Sequence, residues 1–485
     1  MLRRASAFVL IAVAILTMAC AVPLGPGFHT EKELLEVRFV PGSPPHLQVR
    51  ATFTLKNSGN APLDALDLSL PDEKEFGRSN LLITVNGAAV SVAPASTSEP
   101  ASELRISLTA PWPQKSSRTV VVSYQLVASP GIAQRVSLDD SSFFLSTDGW
   151  CPQPRAPEGL FAKGSGPPKR FDLSVIVPQD FLVHAAGRPR GKKRRAAETE
   201  FRFRIAPEDC SPFVVAGHYH EQQFKDSNIA ILFWTLQPLP PDDVSRAGPR
   251  LAAALKIYES NFGPRARSPR PIRLIESTAA DPGPWLGRAF PDGILLWGEV
   301  IRKNSFDEVA TLQMARLWFG QSLTPRPETR LLFDPAAATY ASILISEARD
   351  GESSRRRNAA ALIEQYQRSL HGREEKLLLG DFGKNPDVLL AIPAGTVSIE
   401  TAQRNAALAK GALFFLALED EYGKQIVHRA LARMIRAMRG REAGIFELRA
   451  ALEAESGKDL GEFFRLWLNQ PGIPADFRAR YAPAK

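Results

Sequence analysis

The chain has 485 residues, enough for two or three domains that each bury a core of their own. Hydrophobic residues make up 44% and charged residues 23%, ordinary globular values that exclude wholesale disorder. The formal charge of +8, two units of it from Arg3 and Arg4, is too mild and too dispersed for a nucleic-acid binder, so no nucleic acid is expected as a partner.

In chain order, residues 1–21 read as an export signal. Arg3 and Arg4 precede an apolar run from Phe8 to Leu16, which small residues then close. Three processing outcomes fit. Thr17-Met18-Ala19-Cys20 has the form of a bacterial lipobox, which would lipidate Cys20 and anchor the chain to a membrane of the cell envelope. Ala19-Cys20-Ala21 also suits ordinary cleavage and secretion, and an uncleaved anchor is the third outcome. No later apolar run is long enough to span a bilayer. With Cys20 lipidated, Cys151 and Cys210 remain as a pair in an oxidising compartment. A disulfide between them would close a loop of about 60 residues and contribute about 4 kcal/mol; two buried thiols are the alternative.

Residues 33–222 carry strand patterns. Leu47, Val49, Ala51, Phe53 and Leu55 alternate with polar neighbours, and the turn residues Asn57-Ser58-Gly59-Asn60 follow. Further runs lie at Thr119–Tyr124, Phe171–Val177 and Phe201–Ile205, the spacing of a sandwich or saddle-like sheet domain. Between two of these runs, Arg188–Arg195 is expected as a solvated hairpin loop, the other reading being a patch for anionic lipid heads or an acidic partner. His218-Tyr219-His220 puts two imidazoles on one strand face, expected as surface residues because no third ligand lies nearby in sequence.

Residues 228–350 mix strands with helices. Strands are predicted at Ile229–Trp234, Pro271–Glu276 and Gly293–Gly298, with a helix ending near Phe262-Gly263-Pro264. Ser305 and Glu308 form a capping box for a helix over Phe306–Phe319, and Gly320 can close it. Asp334-Pro335 is expected to open the next helix as N-cap and first-turn proline. Residues 351–485 read as a helical region, where Leu460, Phe463, Phe464, Trp467 and Leu468 make an apolar stripe for the core.

Two short stretches carry a family resemblance. Leu312-Gln313-Met314-Ala315-Arg316-Leu317-Trp318-Phe319-Gly320 is followed by Asp334-Pro335-Ala336-Ala337-Ala338-Thr339-Tyr340. In Trp318-Phe319-Gly320 and Ala338-Thr339-Tyr340, and in the distance between them, the chain resembles the gluzincin family of membrane alanyl aminopeptidases. Those enzymes carry H-E-x-x-H-x-W-F-G and then N-E-G-x-A-T-Y. Pro212–Gly217, Tyr258–Gly263, Lys410-Gly411-Ala412 and the Ser456-Gly457 to Leu468 tail extend the likeness in the same order. It implies an α+β chain with an N-terminal β-sandwich or saddle domain, a thermolysin-like mixed α/β domain and a C-terminal helical region.

The same resemblance implies that the zinc chemistry is gone. Two histidines at i and i+4 share a Zn²⁺, the glutamate between them acts as base, and a glutamate on the next helix is the third ligand. The corresponding positions here are Leu312, Gln313, Arg316 and Pro335. Leucine and proline offer no donor atom, and arginine is a permanent cation that repels a metal. The family's transition-state tyrosine corresponds to Leu408, and its acidic strand to Arg288–Gly293, which lacks the glutamate. No metal, no other cofactor and no working peptidase are therefore expected. Arg316 either pairs with a carboxylate, Asp334 or Asp292, or reaches solvent while Asp334 caps its helix. The expected role is non-catalytic binding or scaffolding in the cell envelope, with a peptide or envelope protein as partner. A cleft including Asp292, Gly293 and Leu295 would hold a peptide by strand addition along Gly293–Gly298. The alternatives are a hydrolase with a rearranged site and an assembly partner acting through the N-terminal sheet domain.

Overall fold

The computed structural model describes residues 27–71, 73–94, 103–127, 136–146, 149–155, 168–206, 212–265, 270–278, 287–303, 306–326, 329–370 and 401–481. Cys20, Cys210 and Ser305 lie outside them, so the lipidation, disulfide and capping-box expectations do too. The chain divides into two compact units, residues 1–217 and 218–485.

The first unit is built on an eight-stranded sheet. Strand Phe28–Val40 lies near its middle, antiparallel to His46–Asn57 and parallel to Arg170–Pro178. The predicted alternation is what builds the core: Leu47, Val49, Ala51, Phe53 and Leu55 are all buried, and every second residue between them faces outward. Two four-stranded sheets complete the unit. Phe39 stacks at 5.7 Å on Phe143 of one, and Phe28 lies 5.5 Å from Trp112 of the other, so one strand anchors both smaller sheets to the large one.

Arg188–Arg194 is a strand, not the expected hairpin loop. It pairs antiparallel with Glu198–Ile205 at the edge of the eight-stranded sheet, and every residue in it is exposed. An edge strand needs no apolar face. Proline is tolerated there, and a row of like charges keeps its unpaired backbone from recruiting another strand.

The second unit carries a five-stranded sheet in the order His220–Asp226, Ile229–Thr235, Ile272–Ser277, Gly293–Trp297, Gly287–Phe290. The three inner strands are parallel and both edges antiparallel. Helices follow: α1 (Pro241–Phe262), α2 (Phe306–Phe319), α3 (Ala337–Asp350), α4 (Glu352–Leu370), α5 (Thr401–Tyr422) and α6 (Lys424–Ala437). Gly263, at a φ of 78°, ends α1 in a backbone conformation that favours glycine. Helix α2 lies against Gly287–Phe290 and Gly293–Trp297, and it approaches closely because residue 287 is glycine. A Cβ there would meet the Leu295 carbonyl at 2.6 Å and the Gln313 side chain at 3.3 Å. In the C-terminal tail Leu460, Phe464, Trp467 and Leu468 are buried, with Phe464 edge-on to Phe414 of α5 at 5.3 Å.

Asp334-Pro335 does not open a helix. The chain is already helical by Leu332, winds through a wide π-type turn over Leu332–Ala336 and continues into α3, with no side-chain cap at its head. Pro335 lacks an N–H and its ring crowds the preceding turn, which accounts for the widened winding at this point.

Candidate functional site

The site predicted from the motif lies where α2 meets the π turn. Arg316, one turn from the end of α2, grips Asp334 with two parallel hydrogen bonds: Nε donates to Oδ1 at 2.5 Å and Nη2 to Oδ2 at 2.6 Å. Its third nitrogen, Nη1, donates to Oε1 of Gln313 at 2.9 Å. Both charged side chains are only 15% exposed, so this is a largely desolvated, bidentate pair, the strongest geometry available to arginine. Burial alone would raise the Asp334 carboxyl, but Arg316, helped by Arg330 and Arg288, holds it below its ordinary value. Burial likewise works against the Arg316 cation, and Asp334 more than offsets it. Gly320 makes room for the pair, since a Cβ there would stand 3.0 Å from Asp334 Oδ1.

The remaining predicted residues are placed as follows. Gln313 is fully buried. Leu312 is half-buried and borders a pocket that α1, α3 and α4 also line. Pro335 is buried in the π turn, and Leu408 is buried in α5 as part of the unit's core. Asp292 is buried and faces Arg270 at 3.8 Å. Gly293 and Leu295 do not border an open edge: Gly293–Trp297 is paired on one side with Ile272–Ser277 and on the other with Gly287–Phe290. Strand addition along it is excluded, and the edge strand on this side is Gly287–Phe290. His218 and His220 are exposed. Cys151 is partly buried.

A zinc ion does not fit the residues present. Leu312 and Pro335 have no donor atoms, Arg316 is a cation, and the nearby oxygens of Asp334 and Gln313 already accept from Arg316. Among the described residues no three His, Cys, Asp or Glu side chains form a group that could hold a metal.

The motif letters that are retained have packing work to do. Trp318 donates from its indole to the Gly263 carbonyl at 2.8 Å and lies edge-on to Tyr258 at 5.5 Å, while Phe319 meets Phe262 at 5.0 Å. Together they clamp the end of α1 onto α2. Tyr340 donates to Glu419 at 2.7 Å. That carboxylate also lies 2.8 Å from His428 Nε2 and pairs with Arg355, which reaches Asp420 at 2.8 Å. Burial would raise the Glu419 carboxyl, and the hydrogen bond from His428 and the Arg355 charge hold it low. This buried network joins α3, α4, α5 and α6. Nothing in the sequence spacing announced it, because its members are far apart in the chain. Lys410 of Lys-Gly-Ala is also buried; it donates to the Gln470 carbonyl, and burial pushes its ammonium down to about 8.

No protein-family model matches the sequence, and no curated protein does. Solved structures do match. A point mutant of an M1 zinc metallopeptidase from Deinococcus radiodurans superposes with a TM-score of 0.63 at 17% identity, over 92% of this chain and 96% of that one. The structure of that peptidase without the mutation gives 0.62 at 17% identity, over 92% and 95%. The chain has the M1 zinc metallopeptidase fold. Aminopeptidase A from Legionella pneumophila also matches, with a TM-score of 0.63 at 15% identity, over 93% of this chain and 50% of that one. On the M1 fold of this chain, then, the junction of α2 with the following helical segment is held by an arginine–aspartate pair.

Proposed function

We propose that this chain is a non-catalytic peptide- or protein-binding member of the M1 fold group, acting in a bacterial cell envelope with its zinc ligands lost. The observation that carries this reading is the bidentate Arg316–Asp334 pair with Gln313 closed onto it, at the positions that the resemblance gives to a metal ligand and the catalytic base. A guanidinium neither activates water at neutral pH nor accepts its proton. Peptide recognition needs neither: main-chain pairing along the edge strand Gly287–Phe290 uses only backbone N–H and C=O groups. A related structure, the mutant peptidase from Deinococcus radiodurans, holds a Tyr-Ser-Ala substrate, which makes a tripeptide the natural first probe.

Envelope attachment is part of the same reading. Lipidated Cys20 is the tether, and the exposed basic strand Arg188–Arg194 is the face suited to anionic headgroups. Metal analysis of the purified chain, run beside a broad aminopeptidase panel and calorimetry with Tyr-Ser-Ala, tests the central claim. Far less than one zinc per chain, no hydrolysis and measurable tripeptide binding are expected. Stoichiometric, dialysis-resistant zinc together with hydrolysis overturns the reading. Hydrolysis without zinc points to a rearranged hydrolase site. Labelled-palmitate incorporation, lost on Cys20→Ser, tests the tether.

A further inference from the structure

A pocket borders Leu312, one helical turn from Arg316. Helices α1, α2, α3 and α4 line an open pocket of about 880 Å³, and Arg316, Gln313 and Asp334 are not among the residues lining it. Its size falls in the range of about 300–1,000 Å³ typical of small-molecule sites. Ile257, Leu312 and Ile345 supply an apolar wall.

The polar wall offers acceptors. Thr311 donates its hydroxyl proton to the Asp307 carbonyl at 2.7 Å, Ser342 to the Thr339 carbonyl at 2.7 Å, and Ser346 to the Ser342 carbonyl at 3.3 Å. Each hydroxyl spends its proton on its own helix and keeps lone pairs for the cavity. Asp307 stands beside them with its side chain only 4% exposed. Its Oδ2 accepts from Arg250 at 3.2 Å, and its Oδ1 has no donor among the described residues. Glu308, exposed on the same helix, adds a second carboxylate. The arginines around the rim are turned to other partners: Arg349 is bidentate to Asp350 at 2.9 and 3.1 Å, and Arg357 donates to Ser353 at 3.3 Å. Arg250 is half in solvent, so it can swing aside. That leaves Oδ2 to accept from an entering donor in its place.

The geometry points to a binding site for a small primary amine: an ammonium group at Asp307 and a short apolar stem along Ile257, Leu312 and Ile345. An ammonium brings three donors and no acceptor, which matches a wall rich in lone pairs. This site does not depend on the reading of the Arg316–Asp334 cleft.

Calorimetry on the full chain at neutral pH, with n-pentylamine and pentan-1-ol as probes of equal length, tests it. The amine is expected to bind at least tenfold more tightly than the alcohol. Asp307→Asn is expected to bring the amine down to the level of the alcohol. Ser346→Leu, which narrows the pocket without changing charge, is expected to weaken binding of both, with circular dichroism to show that the fold is kept. Equal affinity for the two probes, no binding of either, or an amine affinity untouched by Asp307→Asn overturns the proposal. If Asp307→Asn does not fold, unchanged amine affinity in Ser346→Leu overturns it equally.

Discussion

Removing either end of the Arg316–Asp334 pair leaves an uncompensated charge with little access to water. With each side chain 15% exposed, Arg316→Met and Asp334→Leu are each expected to cost about 2–4 kcal/mol. The double variant Arg316→Met/Asp334→Leu, which removes both charges, is expected to cost about 1 kcal/mol or less. Urea denaturation of the three proteins measures this, and a double variant as unstable as the sum of the singles would show that the two charges act independently. Glu33 poses the opposite problem, a buried acid that burial pushes from 4.5 up to about 8. Between those values the folded state holds a proton that the unfolded state has released, so stability falls as pH rises from about 4.5 to 8 and then levels off. Glu33→Gln is expected to flatten that slope and, at pH 8, to raise stability by on the order of 3 kcal/mol. Thermal melts of both proteins from pH 5 to pH 9 read it directly; parallel curves would rule it out. Neither environment was readable from residue spacing alone. Arg316 had two carboxylates in range of the argument, and only the folded backbone shows that Asp334 faces it. Glu33 had no facing assigned from the sequence, and it alternates inward.

At the level of elements, what the sequence made legible follows from burial. Strands with one wet and one dry face, such as His46–Asn57, show their period directly; the helix over Phe306–Phe319 is buried on most sides and was read instead from the residues at its ends, and its bounds match those predicted. Elements that bury nothing leave no such trace. Arg188–Arg195 was expected as a hairpin loop because a run of charge between two strands reads as solvated, yet an edge strand needs only one paired side. The π turn was hidden for a different reason: an Asp-Pro pair is the usual signature of a helix start, and here the aspartate is drawn sideways to Arg316 instead. The basic strand makes a prediction of its own. Replacing Arg190, Lys192 and Arg194 by threonine keeps β propensity and removes the charges from an open edge. Such a variant is expected to self-associate at concentrations where the parent chain is monodisperse by light scattering. If it stays monodisperse, the charges do not guard the edge.

Across the whole molecule, the order of elements carried the fold class. A β-rich first unit, a mixed sheet with helices after it, and a helical C-terminal region are all present, and they superpose on M1 zinc metallopeptidases over 92% of the chain at 17% identity. The motif letters that this chain retains are ones that pack. Trp318 and Phe319 seal α1 to α2, and Tyr340 ties four helices through Glu419, so they would be kept whatever chemistry the cleft performs. That is why the scaffold can be recognised from so few positions, while the function has to be argued from the side chains between them.

The positive charge between α2 and the π turn is written into the chain as Arg316. A charge supplied by a bound ion can be diluted away, stripped or exchanged, so such a protein has a loaded and an empty form whose balance follows the supply of that ion. A guanidinium has no off-rate. This junction therefore has one form, complete as soon as the chain has folded. Excess chelator is expected to leave the melting temperature where it was, and a drop on chelation would mean that an ion helps to hold the fold together after all.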